Sequence, residues 1–160
     1  LHDVLDVPSA YERVGGRDGL LQRLGGRAVD LVNGVVAMTK DRSIPDSDAR
    51  SNDMLQRCVE TNDWRVWLCE IVDKWATVDD LPGEIEKYGY DYVSSKFNGG
   101  LENYLKWAEL VHSTMFAAVT EKQDQLEGKF ELLSGELRLL EEAIKRLRVT
   151  ISVSTHDQCA

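Results

Sequence analysis

Positive charge is scarce in this chain, and the shortage limits the partners it can bind. There are 19 Lys and Arg residues against 28 Asp and Glu residues, which gives a formal net charge of -9. A protein that neutralises nucleic-acid phosphates or adsorbs to an anionic membrane needs a basic face. The short basic cluster at 145–148 follows Glu141 and Glu142, which indicates a mixed, solvated helix face. Nucleic-acid binding and membrane adsorption are therefore not expected.

Patterned cysteines and long apolar runs are also missing. The three cysteines, Cys58, Cys69 and Cys159, are an odd number at irregular spacings. Such cysteines indicate free thiols in a reducing compartment and not a disulfide framework. No run reaches the roughly 20 apolar residues that a membrane-spanning helix needs. If the protein reaches a membrane, we expect it to do so only through an anchor outside this chain.

Residue patterns that carry catalysis are absent as well. The histidines, His2, His112 and His156, are far apart in the sequence. Glu109 and His112 form one Glu-x-x-His pair, but a di-iron bundle needs a second pair and two further glutamates. No phosphate-binding loop or nucleophile elbow occurs. We expect no metal, no cofactor and no enzymatic activity.

Strand patterns are nearly absent, because apolar residues recur every three or four positions, so an all-α fold is predicted. A chain of 160 residues with 42% hydrophobic residues can bury one core, and residues 26–150 are expected to form a single domain. The predicted elements are an irregular lead-in at 1–25, helix at 26–40, a loop at 41–53, a long or broken helix at 54–75, a turn at 77–83, helices at 84–97, 101–120 and 121–149, and a disordered tail at 151–160.

The predicted helix at about 101–120 is more apolar than its neighbours. It follows the pair Gly99-Gly100 and runs almost without charge from Leu110 to Val119. A helix that is apolar all round is buried on all sides, whereas a surface helix is amphipathic. We therefore expect a globular helical bundle in which this central helix is surrounded by amphipathic helices.

The last predicted helix carries a heptad stripe that allows two interpretations. Its apolar residues form two rows spaced seven residues apart. The stripe can form a coiled-coil homodimer, which would make the protein a helical scaffold or adaptor without a ligand groove, or it can be buried inside one globular domain. Gly128 and Gly135 interrupt it and favour burial within the domain. The rows are Phe130, Leu137, Ile144 and Ile151, and Leu126, Leu133, Leu140 and Leu147.

The residues that open the apolar helix resemble a known motif. Gly100, Asn103 and the cation Lys106 stand in the register of the first homology region of the Bcl-two family of apoptosis regulators. Tyr104 occupies the position of the family's tryptophan, while Leu105 and Lys106 replace its glycine and arginine. The chain thus resembles a divergent member, as viral and invertebrate members often are.

Three further segments extend the resemblance to roughly residues 26–122. The stretch 55–60 is similar to the family's third homology region, with Val59 for glycine and Glu60 for aspartate. The passage from Asp79 to Phe97 is similar to its third-to-fourth helix region, and residues 28–33 are similar to its first helix. The second homology region and the C-terminal membrane anchor have no counterpart in this chain.

The resemblance implies a surface groove that receives the amphipathic death-promoting helix of a pro-apoptotic partner. Lys106 would pair with an aspartate of that helix, and Asn103 would hydrogen-bond nearby. A death-promoting helix needs apolar anchor residues to bind such a groove. The chain's own segment around Leu55 has Ser51 and Asn62 in place of such anchors, so we do not expect it to bind the groove of another protein. A pro-survival, host-directed viral protein in the cytoplasm or at the mitochondrial outer membrane is thus implied. The implied groove residues are Trp67, Ile71, Trp75, Val78, Tyr92, Val93, Phe97, Asn103 and Lys106.

Overall fold

The chain folds into helices joined by short turns. The computed structural model describes residue 13, residues 15–24 and residues 29–157, and none of these lies in a strand. The all-α class predicted from the sequence is therefore confirmed. Its helices are α1 (Gly16–Leu24), α2 (Val29–Ala37), α3 (Ser47–Glu60), α4 (Trp64–Tyr88), α5 (Tyr90–Ser94), α6 (Gly100–Glu121), α7 (Gln123–Leu126) and α8 (Lys129–Asp157).

The helices group into two compact units, and the single domain expected at 26–150 stays a prediction. The first unit is Leu1–Trp67 and the second is Leu68–Ala160. The boundary falls within the first turns of α4, so this helix contributes to both units. Hydrophobic periodicity could not indicate this division, because the helical pattern continues across it.

In the first unit, α2 packs closely against the start of α4, and a side-chain cap sets where α3 begins. Gly34 lies so close to the first turn of α4 that a Cβ built on it would be 2.9 Å from Val66 Cγ2. The helix α3 begins earlier than predicted, because Asp46 accepts a hydrogen bond from the Ala49 amide and caps it. Residues 47–53 of the predicted loop are therefore helical.

The helix α4 is longer than the sequence pattern indicated. The predicted turn at 77–83 is wrong, since α4 runs through it with Pro82 in its interior. A proline there removes one backbone hydrogen bond. The buried side chains of Val78, Leu81 and Ile85 hold this part of the helix in place despite that loss. The break falls instead at residues 61–63, where Asn62 has a positive φ of 49°.

In the second unit, α6 and α8 form an antiparallel pair connected through α7. Arg148 forms an ion pair with Glu109, and His112 hydrogen-bonds to the backbone of Leu137, so residue numbers run in opposite directions along the two helices. The chain reverses at Glu127, which has a positive φ of 48°. The buried residues of α6 are Leu101, Leu105, Ala108, Val111, Met115, Ala118 and Val119.

The heptad stripe of α8 is buried within the chain itself. From Leu133 to Ile151 its residues are almost completely inaccessible to solvent, and only Phe130 is half-buried. A homodimer built on this stripe would have to separate α8 from the core of its own unit. The stripe therefore offers no exposed surface on which a coiled-coil homodimer could form.

The enclosure of α6 and two helix boundaries also differ from the expectation. The helix α6 is not enclosed on all sides, because Leu110 and Phe116 are exposed. The helix α8 continues to Asp157 with Ile151 buried, so the predicted tail is helical up to that residue. The predicted lead-in contains the helix α1. Within the described residues, no helix combines the length and the apolar character needed to cross a membrane.

Candidate protein-binding surface

The start of α6 depends on two glycines and a serine from the preceding helix. Gly99 and Gly100 have φ values of 76° and 83°, in the left-handed region that glycine tolerates best. A Cβ at residue 99 would collide with the side-chain amide of Asn103. The Leu101 amide donates a hydrogen bond of 3.0 Å to Ser94 Oγ. The close approach to Asn103 thus concerns Gly99, whereas the spacing noted in the sequence was that of Gly100 and Asn103.

The nine implied groove residues fall into three groups by accessibility. Tyr92, Asn103 and Lys106 are exposed, and Trp75 and Phe97 are half-buried. The remaining four are fully buried, so a ligand could touch them only if the surrounding helices moved apart. These four are Trp67, Ile71, Val78 and Val93.

Trp67 belongs to the first unit, whereas the other eight residues belong to the second. Its indole Nε1 donates a hydrogen bond of 3.0 Å to the carbonyl oxygen of Cys58. Buried indole N–H groups usually need such a partner. Trp67 therefore serves the core of the first unit, and a surface within the second unit has to be built from the other residues.

An exposed cluster of two tyrosines and a lysine lies at the end of α4, on α5 and in the turn that follows α5. The ring centroids of Tyr88 and Tyr92 are 5.6 Å apart, and the two side chains are 49% and 56% exposed. Lys96 Nζ lies 5.6 Å from the Tyr88 centroid and 5.1 Å from that of Tyr92. These distances allow cation–π attraction. The Lys96 ammonium also forms an ion pair of 3.0 Å with Glu84.

A second aromatic pair follows in the chain directly after Lys96. Phe97 packs against Tyr104 of α6 with a centroid distance of 4.4 Å. Lys74 of α4 lies beneath this pair, with its Nζ 6.0 Å from the Tyr104 centroid. We call Tyr88, Tyr92, Phe97 and Tyr104 the aromatic surface. All four residues belong to the second unit.

Buried charges support the aromatic surface from within. Lys74 Nζ is 3.8 Å from Glu70 and 3.2 Å from Asp73. Burial alone would lower the pKa of Lys74, but the carboxylates of Glu70 and Asp73 outweigh it and raise the pKa. The ammonium therefore remains charged at neutral pH. Burial likewise raises the pKa of the Tyr104 hydroxyl, which stays neutral.

Sequence reasoning did not identify Tyr88 of the aromatic surface or the charged residues that contact and support the surface. Tyr88, Lys96 and the pair Glu70–Lys74 carry no motif of their own. Glu70 and Lys74 are four residues apart, which on most helices indicates a solvated ion pair. Only the packed structure shows that Glu70 is buried and that Lys74 lies beneath Tyr104. The run of tyrosines at 88–92 was the signal available in the sequence.

Glu109 and His112, which form the Glu-x-x-His pair, contact other side chains and not a shared metal site. Glu109 pairs with Arg148, and the His112 ring stacks on Phe116 with a centroid distance of 6.2 Å. Burial lowers the pKa of His112. Across the part of the chain that the structure describes, no three His, Cys, Asp or Glu residues form a group that could hold a metal ion.

The upstream segments of the resemblance lie in the first unit. Leu55 and Cys58, in the stretch similar to the third homology region, are buried in α3. Residues 25–28 lie outside the described residues, so the beginning of the segment at 28–33 has no structural account. Comparison of the chain with models of protein families, with curated proteins and with solved structures found no match.

Proposed function

We propose that this protein is a binding module that captures an amphipathic helix of a protein partner on the aromatic surface. Following the resemblance of its sequence to the Bcl-two family, the partner is a pro-apoptotic protein and capture promotes cell survival. The site of action is the cytoplasm or the mitochondrial outer membrane of a host cell. The observations that carry the proposal are the exposure of Tyr88 and Tyr92 and the packing of Phe97 on Tyr104.

Exposed tyrosines at close range are well suited to protein recognition. Tyrosine presents a large, rigid apolar area with few rotatable bonds, and it is enriched among the residues that dominate binding energies. The aromatic surface combines two exposed rings with a half-buried ring on each of α6 and the turn before it. Apolar side chains of a helix, spaced three or four residues apart, would pack on these rings.

An exposed cation on another side of α6, Lys106, is proposed to supply orientation. Lys106 is exposed two residues after Tyr104, and no carboxylate of the described residues lies within ion-pair distance of it. An acidic residue of the bound helix is its proposed partner, with Asn103 as a neighbouring hydrogen-bond donor. A lysine acts here as a point charge and tolerates more variation in the partner than an arginine would.

The fixed base beneath the rings reduces the cost of binding. Tyr104 packs on Phe97, and its ring also lies near the Lys74 ammonium, whose position is set by Glu70 and Asp73. A surface that is already ordered loses less conformational entropy when a ligand binds. We therefore expect the binding site to be formed before the ligand binds, and not to assemble around the ligand.

Fluorescence-polarisation titration against a panel of death-promoting helical peptides tests the proposal. We expect micromolar or tighter binding to at least one peptide. Tyr92→Ala should weaken that binding by about tenfold, because it removes an exposed aromatic contact. Lys106→Glu should weaken it by a similar factor, because it places a negative charge opposite the peptide's acidic residue.

The control is Lys40→Glu, the same charge change on an exposed lysine of the first unit. It should leave the affinity unchanged. Failure of every peptide to bind in the micromolar range would refute the proposed function. Equal affinities of the wild type and Lys106→Glu, with Tyr92→Ala still weakened, would refute only the charge pairing.

A further inference from the structure

The helix α8 carries a second apolar stripe on the side opposite its buried one. Seven positions recur every three or four residues along it, and at about 100° per residue they centre on the face turned away from Leu140, Ile144 and Leu147. Four of them hold large apolar residues, one is glycine and two carry opposite charges. We call this set the outer stripe: Leu132, Gly135, Leu139, Glu142, Arg146, Val149 and Val153.

The apolar members of the outer stripe are strongly exposed. Leu132 and Leu139 are 42% and 38% exposed, and Val149 and Val153 are 65% and 57% exposed. A surface helix usually places charged or polar residues opposite its buried face. A row of apolar side chains along the solvent side instead marks an interaction surface. The row extends over about six turns of α8.

We propose that the outer stripe is the interface with a second copy of this chain, in which two α8 helices pack antiparallel. With a two-fold axis at the level of Ile144, Leu139 of each copy lies opposite Val149 of the other. Gly135 then lies opposite Val153, and nothing lies within 4 Å of a Cβ built on Gly135, so space is open for that side chain. A two-fold axis requires this kind of self-complementary pairing.

The two charges of the outer stripe select the antiparallel arrangement. In this arrangement Glu142 of one copy lies opposite Arg146 of the other, and the axis generates the same pair twice. A parallel arrangement would place Glu142 against Glu142 and Arg146 against Arg146, which costs free energy. Arg146 also pairs with Asp79 of its own chain, but its side chain remains 56% exposed and can contact a second carboxylate.

This inference does not depend on the proposed function. The outer stripe belongs to α8, whereas the aromatic surface is built from α4, α5 and α6. It also differs from the coiled coil expected as an alternative, because that interpretation used the stripe which α8 buries against its own unit. A chain that binds no helical peptide can therefore still dimerise, and the two experiments have separate outcomes.

Sedimentation equilibrium tests the interface, with circular dichroism to verify that each variant is folded. For the wild type we expect a monomer–dimer equilibrium in the micromolar range. Val149→Arg places a charged side chain against the apolar Leu139 of the other copy and should raise the dissociation constant at least about tenfold. Val149 is well exposed, so this change should not disturb the fold. Ser152→Arg adds the same charge off the outer stripe and should have no effect.

Mixing two charge variants tests the orientation. Glu142→Arg alone and Arg146→Glu alone should each be monomeric, since like charges then meet at the axis. An equimolar mixture should form a heterodimer, because each position faces the opposite charge again. A wild type that remains monomeric at millimolar concentration would overturn the inference, as would a dimer that Val149→Arg leaves intact. Dimerisation of either charge variant alone as tight as that of the wild type would overturn the antiparallel pairing.

Discussion

The helices within each of the two units are held together by a different kind of interaction. In the first unit, side chains of α3 complete the hydrogen bonds of another helix: Arg57 donates to the carbonyl oxygens of Val36 and Thr39 at 2.7 and 2.6 Å. In the second unit, α6 and α8 pack through an apolar stripe, and ion pairs such as Arg148–Glu109 lie at its solvent edge. The stability of the first unit should thus depend on polar geometry, and that of the second on buried volume.

The largest effect is expected in the second unit, from Leu140→Ala. Leu140 is completely buried in the stripe of α8, and the change leaves a cavity. Such substitutions lower the free energy of unfolding by about 2–5 kcal/mol. Urea denaturation measures the loss. Leu139→Ala is the matched control, because this neighbouring leucine is partly exposed and should cost far less; equal costs would contradict the role assigned to the buried stripe.

A smaller effect is expected in the first unit, from Arg57→Met. Methionine keeps the aliphatic length but loses both bonds to the carbonyls at the end of α2 and the ion pair with Asp53. Hydrogen bonds that involve a charged group contribute about 1.5–3 kcal/mol each, and part of this is recovered by solvation of the carbonyls. We expect a loss of about 2 kcal/mol in a urea titration.

Arg57→Lys sharpens the same comparison. Lysine retains the charge but cannot hold two carbonyl oxygens in the fork geometry of arginine. Most of the stability lost in Arg57→Met should therefore also be lost in Arg57→Lys. Full stability of the lysine variant would mean that charge alone, and not the paired hydrogen bonds, holds α2 against α3.

The next largest effect on stability is expected at the start of α6, where the backbone conformation requires glycine. Gly99→Ala forces a side chain into the left-handed region, which costs roughly 1–2 kcal/mol, and also displaces the Asn103 amide. Gly83→Ala is the control, because Gly83 is exposed within α4 and nothing lies within 4 Å of its Cβ. This change should be neutral or slightly stabilising, since alanine favours helix. Thermal denaturation of both variants separates the two cases.

The sequence predicted the helical class and much of the second unit, because a heptad stripe is a property of residue spacing alone. The rows from Leu133 to Ile151 are buried, as required by the interpretation in which the stripe lies inside one globular domain. The break between helices was placed wrongly at Pro82, where the burial of neighbouring side chains overrides a local preference. The true break at Asn62 depends on a positive φ for which the residue type gave no clear sign.

The candidate surface was only partly predictable. Tyr92, Phe97, Asn103 and Lys106 were singled out by resemblance and are accessible, whereas Ile71, Val78 and Val93 are not. A sequence pattern gives the apolar face of a helix but not whether that face lines a groove or fills a core. The support from Glu70 and Lys74 is a tertiary feature, since it requires α4 and α6 to be packed together.

The smallest effect on stability is expected from the protonation of His112, at the edge of the apolar stripe, as the pH falls. Burial lowers the pKa of His112 below its ordinary value of 6.5, helped by Lys145 and opposed by Glu141 and by a hydrogen bond to the Leu137 backbone. The unfolded chain therefore binds the proton more tightly than the folded chain does. The contribution of neutral His112 to stability is complete above pH 6.5 and declines as the pH falls through that value toward the lower pKa of the folded state.

His112→Gln should remove this part of the pH dependence. Urea midpoints measured from pH about 7.5 to about 5 should fall less for the variant than for the wild type, because glutamine does not titrate in this range. The difference between the two curves isolates His112 from the other groups that titrate. Parallel curves would mean that the ring is protonated equally easily in both states, and that the second unit tolerates a charge beside its apolar stripe.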